Sequence, residues 1–272
     1  MAVGGIDELL RSRELTANLV RRDLKVRHRG TFLGMLWSLT TPLLLVGLYY
    51  FIFTYIFKIR TAPDAIRPDG TLVTFAVYFF GGLTIWNLFA SSVGASTGSV
   101  IGSGYLLNKV YFPRSVLPLS TVLSALVTFG FELAVLFVAT LVFVGLPSFQ
   151  ILWLPVIVLI VVVLAFGLAL LLSAVTVFLR DVAHFIGVFL QLWFWGTPII
   201  YSMSFVKDSP GVVRILQLNP MTGIVVSFRN VVMLNRPPDY KLLAYDAVVA
   251  LVALVIGARA FNRWQKLFSE IV

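Results

Sequence analysis

Hydrophobic positions along this chain fall into long runs separated by short polar breaks. A helix that crosses a hydrocarbon core of about 30 Å needs about 20 residues, each rising about 1.5 Å. Six runs approach that length: about Leu33 to Phe57, Phe75 to Val93, Val116 to Gly145, residues 151–179, Val182 to Tyr201, and Ala244 to Phe261. The fourth, ILWLPVIVLIVVVLAFGLALLLSAVTVFL, has no charged residue. The pattern predicts an all-α integral membrane protein with six transmembrane helices.

The stretches between the runs differ in kind. At 100° per residue, Ile6, Leu9, Leu10, Ala17, Val20 and Leu24 share one face of residues 6–29, and Arg11, Arg22, Lys25 and Arg29 gather on another. This predicts an amphipathic interfacial helix over residues 1–30 that turns at Gly30 and Gly34 into the first span; the alternative is a solvated basic tail. Residues 58–74 read as a polar loop with turns at Ala62-Pro63 and Pro68-Asp69-Gly70. Residues 94–115 begin small and flexible, then become YLLNKVYFPRS, a short helical stretch stopped by Pro113. Residues 203–243 are too apolar for a plain loop and too broken by Pro210, Pro220, Pro237 and Pro238 for a span. Short re-entrant or interfacial helices between spans five and six fit them, with protein or water covering the open backbone ends.

Charge adds direction to this picture. Only 12% of the 272 residues are charged and 59% are hydrophobic, whereas soluble proteins use about 25% charged residues to cover their exterior. The exterior therefore faces lipid, and the excess of 21 Lys and Arg over 12 Asp and Glu is first a topology signal. Arg11, Arg13, Arg21, Arg22, Lys25, Arg27 and Arg29 precede span one, which places the N-terminus in the cytoplasm. Six crossings return the C-terminus to the same side, beside Arg259, Arg263 and Lys266. Five cations between spans five and six fall on the expected outer side and weaken the rule there. The basic cluster stops where the first span starts, as a membrane anchor does, so no nucleic acid partner is expected. Without cysteine, a disulfide framework and a thiolate metal site are both excluded. Residues 1–30 hold acids and arginines where a signal peptide would be apolar, so targeting is expected to lie in the first span.

Catalytic chemistry finds little to work with. Glu132 is the one acid expected well inside a span, the others being assigned to edges or loops, and His28 and His184 are far apart. No metal-ligand spacing, carboxylate pair or Gly-Lys phosphate loop is present, so neither an embedded enzyme nor an ATP site of this chain's own is expected. Glu132 is either a structural hydrogen-bond partner or a conduit residue. Trp37, Trp86 and Trp153 read as an interfacial aromatic belt. Trp193, Trp195 and Tyr201 stand in QLWFWGTPIIYS, where Gly196 and Pro198 weaken the helix; they either pack against neighbouring helices or offer ring faces to sugars along a conduit.

Four segments, in order, resemble ABC-2 type transporter permeases of the polysaccharide-export branch. They are RRDLKVRHRGTFLGMLWSLTTPLL (21–44), LLNKVYFPRSVLPLS (106–120), FLRDVAHFIGVFLQLWFWGTPIIYS (178–202) and LNPMTGIVVSFRNVV (218–232). The resemblance implies a six-span permease subunit that forms a homodimer and docks two copies of a separate cytoplasmic ABC ATPase. Such a transporter exports lipid-linked glycans such as O-antigen, teichoic acid or galactan, carried on undecaprenyl or another polyprenyl pyrophosphate, for cell-envelope assembly. It also implies a bacterial inner or plasma membrane location with both termini cytoplasmic. ATP and Mg would be used by the partner, and no cofactor would be bound by this chain.

By the same resemblance, residues 31–265 form the transmembrane domain, ahead of a cytoplasmic tail over 266–272. A coupling helix at about 104–114 carries Lys109, Tyr111, Phe112, Pro113 and Arg114, and external gate helices at about 204–235 carry Asn219, Pro220 and Arg229. The sequence departs from the commonest gate pattern in having Gly223 and Ser227. Arg180 and Asp181 match a charged pair at the inner end of span four, with a structural or a coupling role. The expected passage is enclosed by spans one, two and five of two copies, with Arg27 and Arg29 receiving the lipid phosphates. The alternatives are an ABC-2 exporter of a drug or lipid, and, from another class, a membrane glycosyltransferase or a non-transporting scaffold for envelope assembly.

Overall fold

A computed structural model describes residues 12–27, 36–59, 61–107 and 112–271. Its main helices are α1 (Arg13–Arg27), α2 (Trp37–Phe51, prolonged by a π-helical turn, Ile52–Ile56), α3 (Phe75–Thr97), α4 (Val116–Phe143), α5 (Leu154–Phe178), α6 (Val182–Trp195), α7 (Pro210–Leu218), α8 (Pro220–Val232) and α9 (Tyr240–Trp264). With their short extensions, five are long and apolar enough to cross a membrane: Trp37–Ile56, Phe75–Thr97, Val116–Phe143, Phe149–Phe178 and Tyr240–Leu267. The count is six if α7 and α8, bent by 91° about Asn219, are taken as one span.

Two stretches depart from the sequence expectation. The run expected as span five, about residues 182–201, is helical only as α6, 14 residues or about 21 Å. Gly196 caps it, and residues 197–201 continue as turns and bends because Pro198 has no N–H to extend the helix. The polar loop 58–74 is a hairpin of β1 (Thr61–Ile66) and β2 (Leu72–Thr74), antiparallel, with Thr61 opposite Thr74 and Ile66 opposite Leu72. Gly70, at φ +84, supplies the left-handed residue of its turn.

Burial radiates from α3, which packs against α2, α4, α5, α6 and α8. Being enclosed by protein rather than lipid, it can carry Ser92 and Ser96, whose hydroxyls donate to Leu88 O (2.6 Å) and Val93 O (2.7 Å) of their own helix. Trp86, expected in an interfacial belt, is instead buried three turns into α3, against Phe89, Trp193 and Phe194. Its position follows from the helix length: α3 starts at Phe75 and runs to Thr97, so residue 86 falls at its middle. A second core at one end of the bundle joins Leu19 of α1 to Val116 and Leu117 of α4, Ala174 and Val177 of α5, Phe261 of α9 and Phe268 beyond it.

The closest helix crossing is α5 on α9. A Cβ on Gly167 would lie 2.7 Å from the Leu254 Cα, and one on Gly257 would collide with the Gly167 carbonyl oxygen. Between apolar helices in lipid, such backbone contact supplies packing that hydrophobicity alone does not. The remaining surprise is Asp246. The expected span starting at Ala244 puts it at an edge, but α9 begins at Tyr240, so residue 246 lies almost two turns in and is buried.

Candidate functional site

The bent pair α7–α8 breaks the helical backbone inside the bundle, and each break leaves carbonyls that must find donors. Three polar side chains supply them. Asn219, at the bend, uses its full capacity of two acceptor and two donor positions. Its Oδ1 accepts from the Met221 N–H (3.0 Å), capping α8, and from Trp193 Nε1 (2.8 Å); its Nδ2 donates to Gly196 O and Thr197 Oγ1, both at 2.9 Å. The bend is thereby fixed to the unwound end of α6, and Pro220 occupies the first turn of α8, where its missing N–H costs nothing.

Arg229 is the second fastening. Only 1% exposed, it donates from Nε to Tyr78 O (3.0 Å), from Nη1 to Pro198 O (2.6 Å) and from Nη2 to Ile199 O (2.6 Å). Its guanidinium also stacks 3.8 Å from the centre of the Tyr78 ring. Gly82 of α3 makes the space: a Cβ there would lie 2.8 Å from the Arg229 Cζ. One side chain thus joins α8, α3 and the turn after α6, and its planar fork suits three carbonyls as a lysine would not.

Arg67, in the hairpin turn, is the third fastening and was not singled out from sequence. It donates to Met233 O (2.8 Å) just past α8, and to Val144 O, Gly145 O and Leu146 O in the α4–α5 connection. Burial away from water pushes its guanidinium below the usual arginine range, opposed by the nearby Asp69 charge. Asn235 strengthens the same corner, accepting from Ser148 N (2.8 Å) and donating to Leu146 O.

The expected conduit aromatics separate. Trp193 is half-buried among Trp86, Phe89 and Phe189, with its N–H committed to Asn219. Trp195 is 58% exposed, and the Tyr201 hydroxyl donates to its carbonyl (3.3 Å). Along α6 no residue is buried, and Phe185, Val188, Phe189 and Leu192 all face outward. Glu132 has a hydrogen-bond partner across α3–α4: Asn87 Nδ2 donates to both carboxyl oxygens, at 3.4 and 3.2 Å.

At the opposite end of the bundle, a cavity of about 410 Å³ separates α1 from the α3–α4 connection. Arg22, Asp23, Ser99, Ser103, Ser120 and Ser124 line it, and Arg22 pairs with Asp23 at 3.0 Å. Phe112, Pro113 and Arg114 are half-buried just before α4, whereas Lys109 and Tyr111 lie outside the described residues. Arg27 ends α1, and Arg29, with the turn at Gly30 and Gly34, also lies outside them. Arg180 and Asp181 are exposed at the α5–α6 turn, and no ion pair joins them.

The sequence is similar to those of known membrane permeases. The model of the family described as ABC-2 type transporter matches residues 14–233. An O-antigen export system permease protein RfbA of Myxococcus xanthus is 32% identical over 267 residues, covering 98% of each chain. A protein of the same name from Klebsiella pneumoniae is 30% identical over 260 residues, covering 95% of each.

Proposed function

Because the chain belongs to the ABC-2 type transporter family, and is thus a multi-pass transmembrane permease subunit without an ATPase domain of its own, we propose that it exports a lipid-linked polysaccharide. The export would be driven by ATP and Mg on two copies of a separate cytoplasmic ABC ATPase, docked on a homodimer of this chain in a bacterial inner or plasma membrane, with both termini cytoplasmic. The observation that carries the reading is similarity over nearly the whole length to permeases named for O-antigen export.

The geometry suits the parts this reading needs. Phe112, Pro113 and Arg114, which with Lys109 and Tyr111 lead in sequence to the start of α4 at Val116, transmit ATPase closure to it. Arg27, the last residue of α1, and Arg29, which follows it in sequence, receive a polyprenyl pyrophosphate. The α7–α8 pair with Asn219, Pro220 and Arg229 forms the external gate. Exposed Trp195 and the adjoining Tyr201 present ring faces to the glycan, while Trp193 holds the α7–α8 bend at Asn219.

Reconstitution with the cognate ATPase in proteoliposomes tests the proposal. Lipid-linked glycan should become accessible to a lectin on the far side only when ATP and Mg are supplied. Glycan that stays put while the complex hydrolyses ATP and moves a drug or plain lipid would replace this reading with the drug or lipid exporter.

A further inference from the structure

The seam between α8 and α9 encloses a carboxyl group that nothing around it neutralises. Asp246 is 0% exposed, and neither of its oxygens has a hydrogen-bond partner. The carboxyl rests on Gly223 of α8: a Cβ there would collide with Oδ2 and lie 3.0 Å from Cγ. The neighbouring Thr222 hydroxyl is likewise buried and unpartnered.

No base faces this group among the described residues. On α8 the only charged residue is Arg229, which is turned to Tyr78, Pro198 and Ile199. Along α5, the other helix packed on α9, residues 154–178 carry no titratable side chain. On α9 itself, Lys241 is exposed and the Tyr245 hydroxyl donates to Leu218 O. The start of α9 offers no counter-charge either, because its cap, bonded to the Leu242 N–H, is another acid, Asp239. A dry, unpaired carboxylate is the costliest state this site could hold, whereas a carboxylic acid fits without a counter-charge.

We propose that Asp246 is a proton-binding site: it holds its proton while α8 and α9 are in contact and gives it up when they part. On parting, water enters at Gly223, the proton moves from a carboxyl oxygen to that water, and the carboxylate left behind is solvated. Bound protons therefore hold the seam shut, and deprotonation accompanies displacement of α8. The role of this displacement in export rests on reading α7–α8 as a gate; the proton site does not.

Infrared spectroscopy of the full chain in lipid nanodiscs at neutral pH reads the protonation directly. The wild type should show a carboxylic C=O band that shifts on deuteration, and D246N should lack one carboxyl's share of it. G223A keeps the carboxyl but wedges the seam apart, so that share should be lost and carboxylate bands gained in its place. G223A also serves if D246N does not fold. Identical carboxylic bands in wild type and D246N would overturn the proposal, as would G223A retaining the full acid band. Neither measurement involves a glycan or an ATPase, so failure here is separate from failure of the export reading.

Discussion

Helix α8 carries two opposite solutions to burying a charge. On one face, Arg229 has a carbonyl for each of three nitrogens and an aromatic ring beneath it. On the other, Gly223 supports the carboxyl of Asp246, whose two oxygens have no partner. The first arrangement satisfies turns that would otherwise leave open backbone in the bundle, so the charge is part of the scaffold. The second satisfies nothing, so the group is free to change its charge. A helix fixed on one side by a charged network, and joined on the other by packing and one long hydrogen bond from the Asp239 N–H to Ser227 Oγ (3.3 Å), can separate along the second side first.

The largest test of this difference is Arg229→Ala. It leaves Tyr78 O, Pro198 O and Ile199 O without donors and opens a cavity, a loss of about 3–5 kcal/mol. The melting temperature in detergent and the yield of folded chain should both fall, and Arg229→Lys should recover little, because an ammonium cannot span three carbonyls. Recovery by lysine to near wild type would mean that charge alone matters on this face.

Next come the two glycines. Gly82→Ala drives a Cβ into a guanidinium fixed by three hydrogen bonds, with an expected cost of about 1–3 kcal/mol. Gly223→Ala meets a carboxyl with no bonds to break and the Leu242 Cβ at 2.8 Å, so α9 can be displaced instead. Its melting temperature should fall less than that of Gly82→Ala; equal losses would erase the distinction between the faces.

Much of this was legible in the sequence, for reasons that also mark where legibility ends. Spans one to four and the last follow from apolar length alone, because any helix crossing the hydrocarbon core needs that length. Asn219 and Arg229 stood out through a resemblance, not through chemistry: their partners at 78 and 193–199 are joined to them only by folding. Arg67 was invisible for the same reason, since its acceptors lie at 144–146 and 233 while its own surroundings read as a turn. Asp246 was passed over because starting the last span at Ala244 left the acid at its edge; α9 actually starts four residues earlier.

Asn219 gives a smaller effect that still separates fastening from neutral contact. Asn219→Ala removes the α8 cap and the link to Trp193, Gly196 and Thr197, worth about 1–2 kcal/mol. Asn219→Asp keeps both acceptor roles but loses the two donors and turns an oxygen toward Gly196 O. The aspartate should therefore be no more stable than the alanine by melting temperature. An aspartate equal to wild type would show that the cap alone fastens the bend.

The smallest expected effect belongs to Asp69, an acid treated in the opposite way to Asp246. It is exposed in the hairpin turn, and its Oδ1 accepts the Thr71 N–H at 2.9 Å. That bond holds its carboxyl below the usual range, helped by the Arg67 charge and partly opposed by desolvation. A folded-state value lower than the unfolded one means the contribution to stability is full above the unfolded carboxylate range, near pH 4. It is lost as pH falls through the lower, folded value. Asp69→Asn cannot ionise, so the melting-temperature difference between wild type and variant should be constant at neutral pH and shrink on acidification. A difference that grew as pH fell would mean the turn is held by something other than this ionised carboxylate.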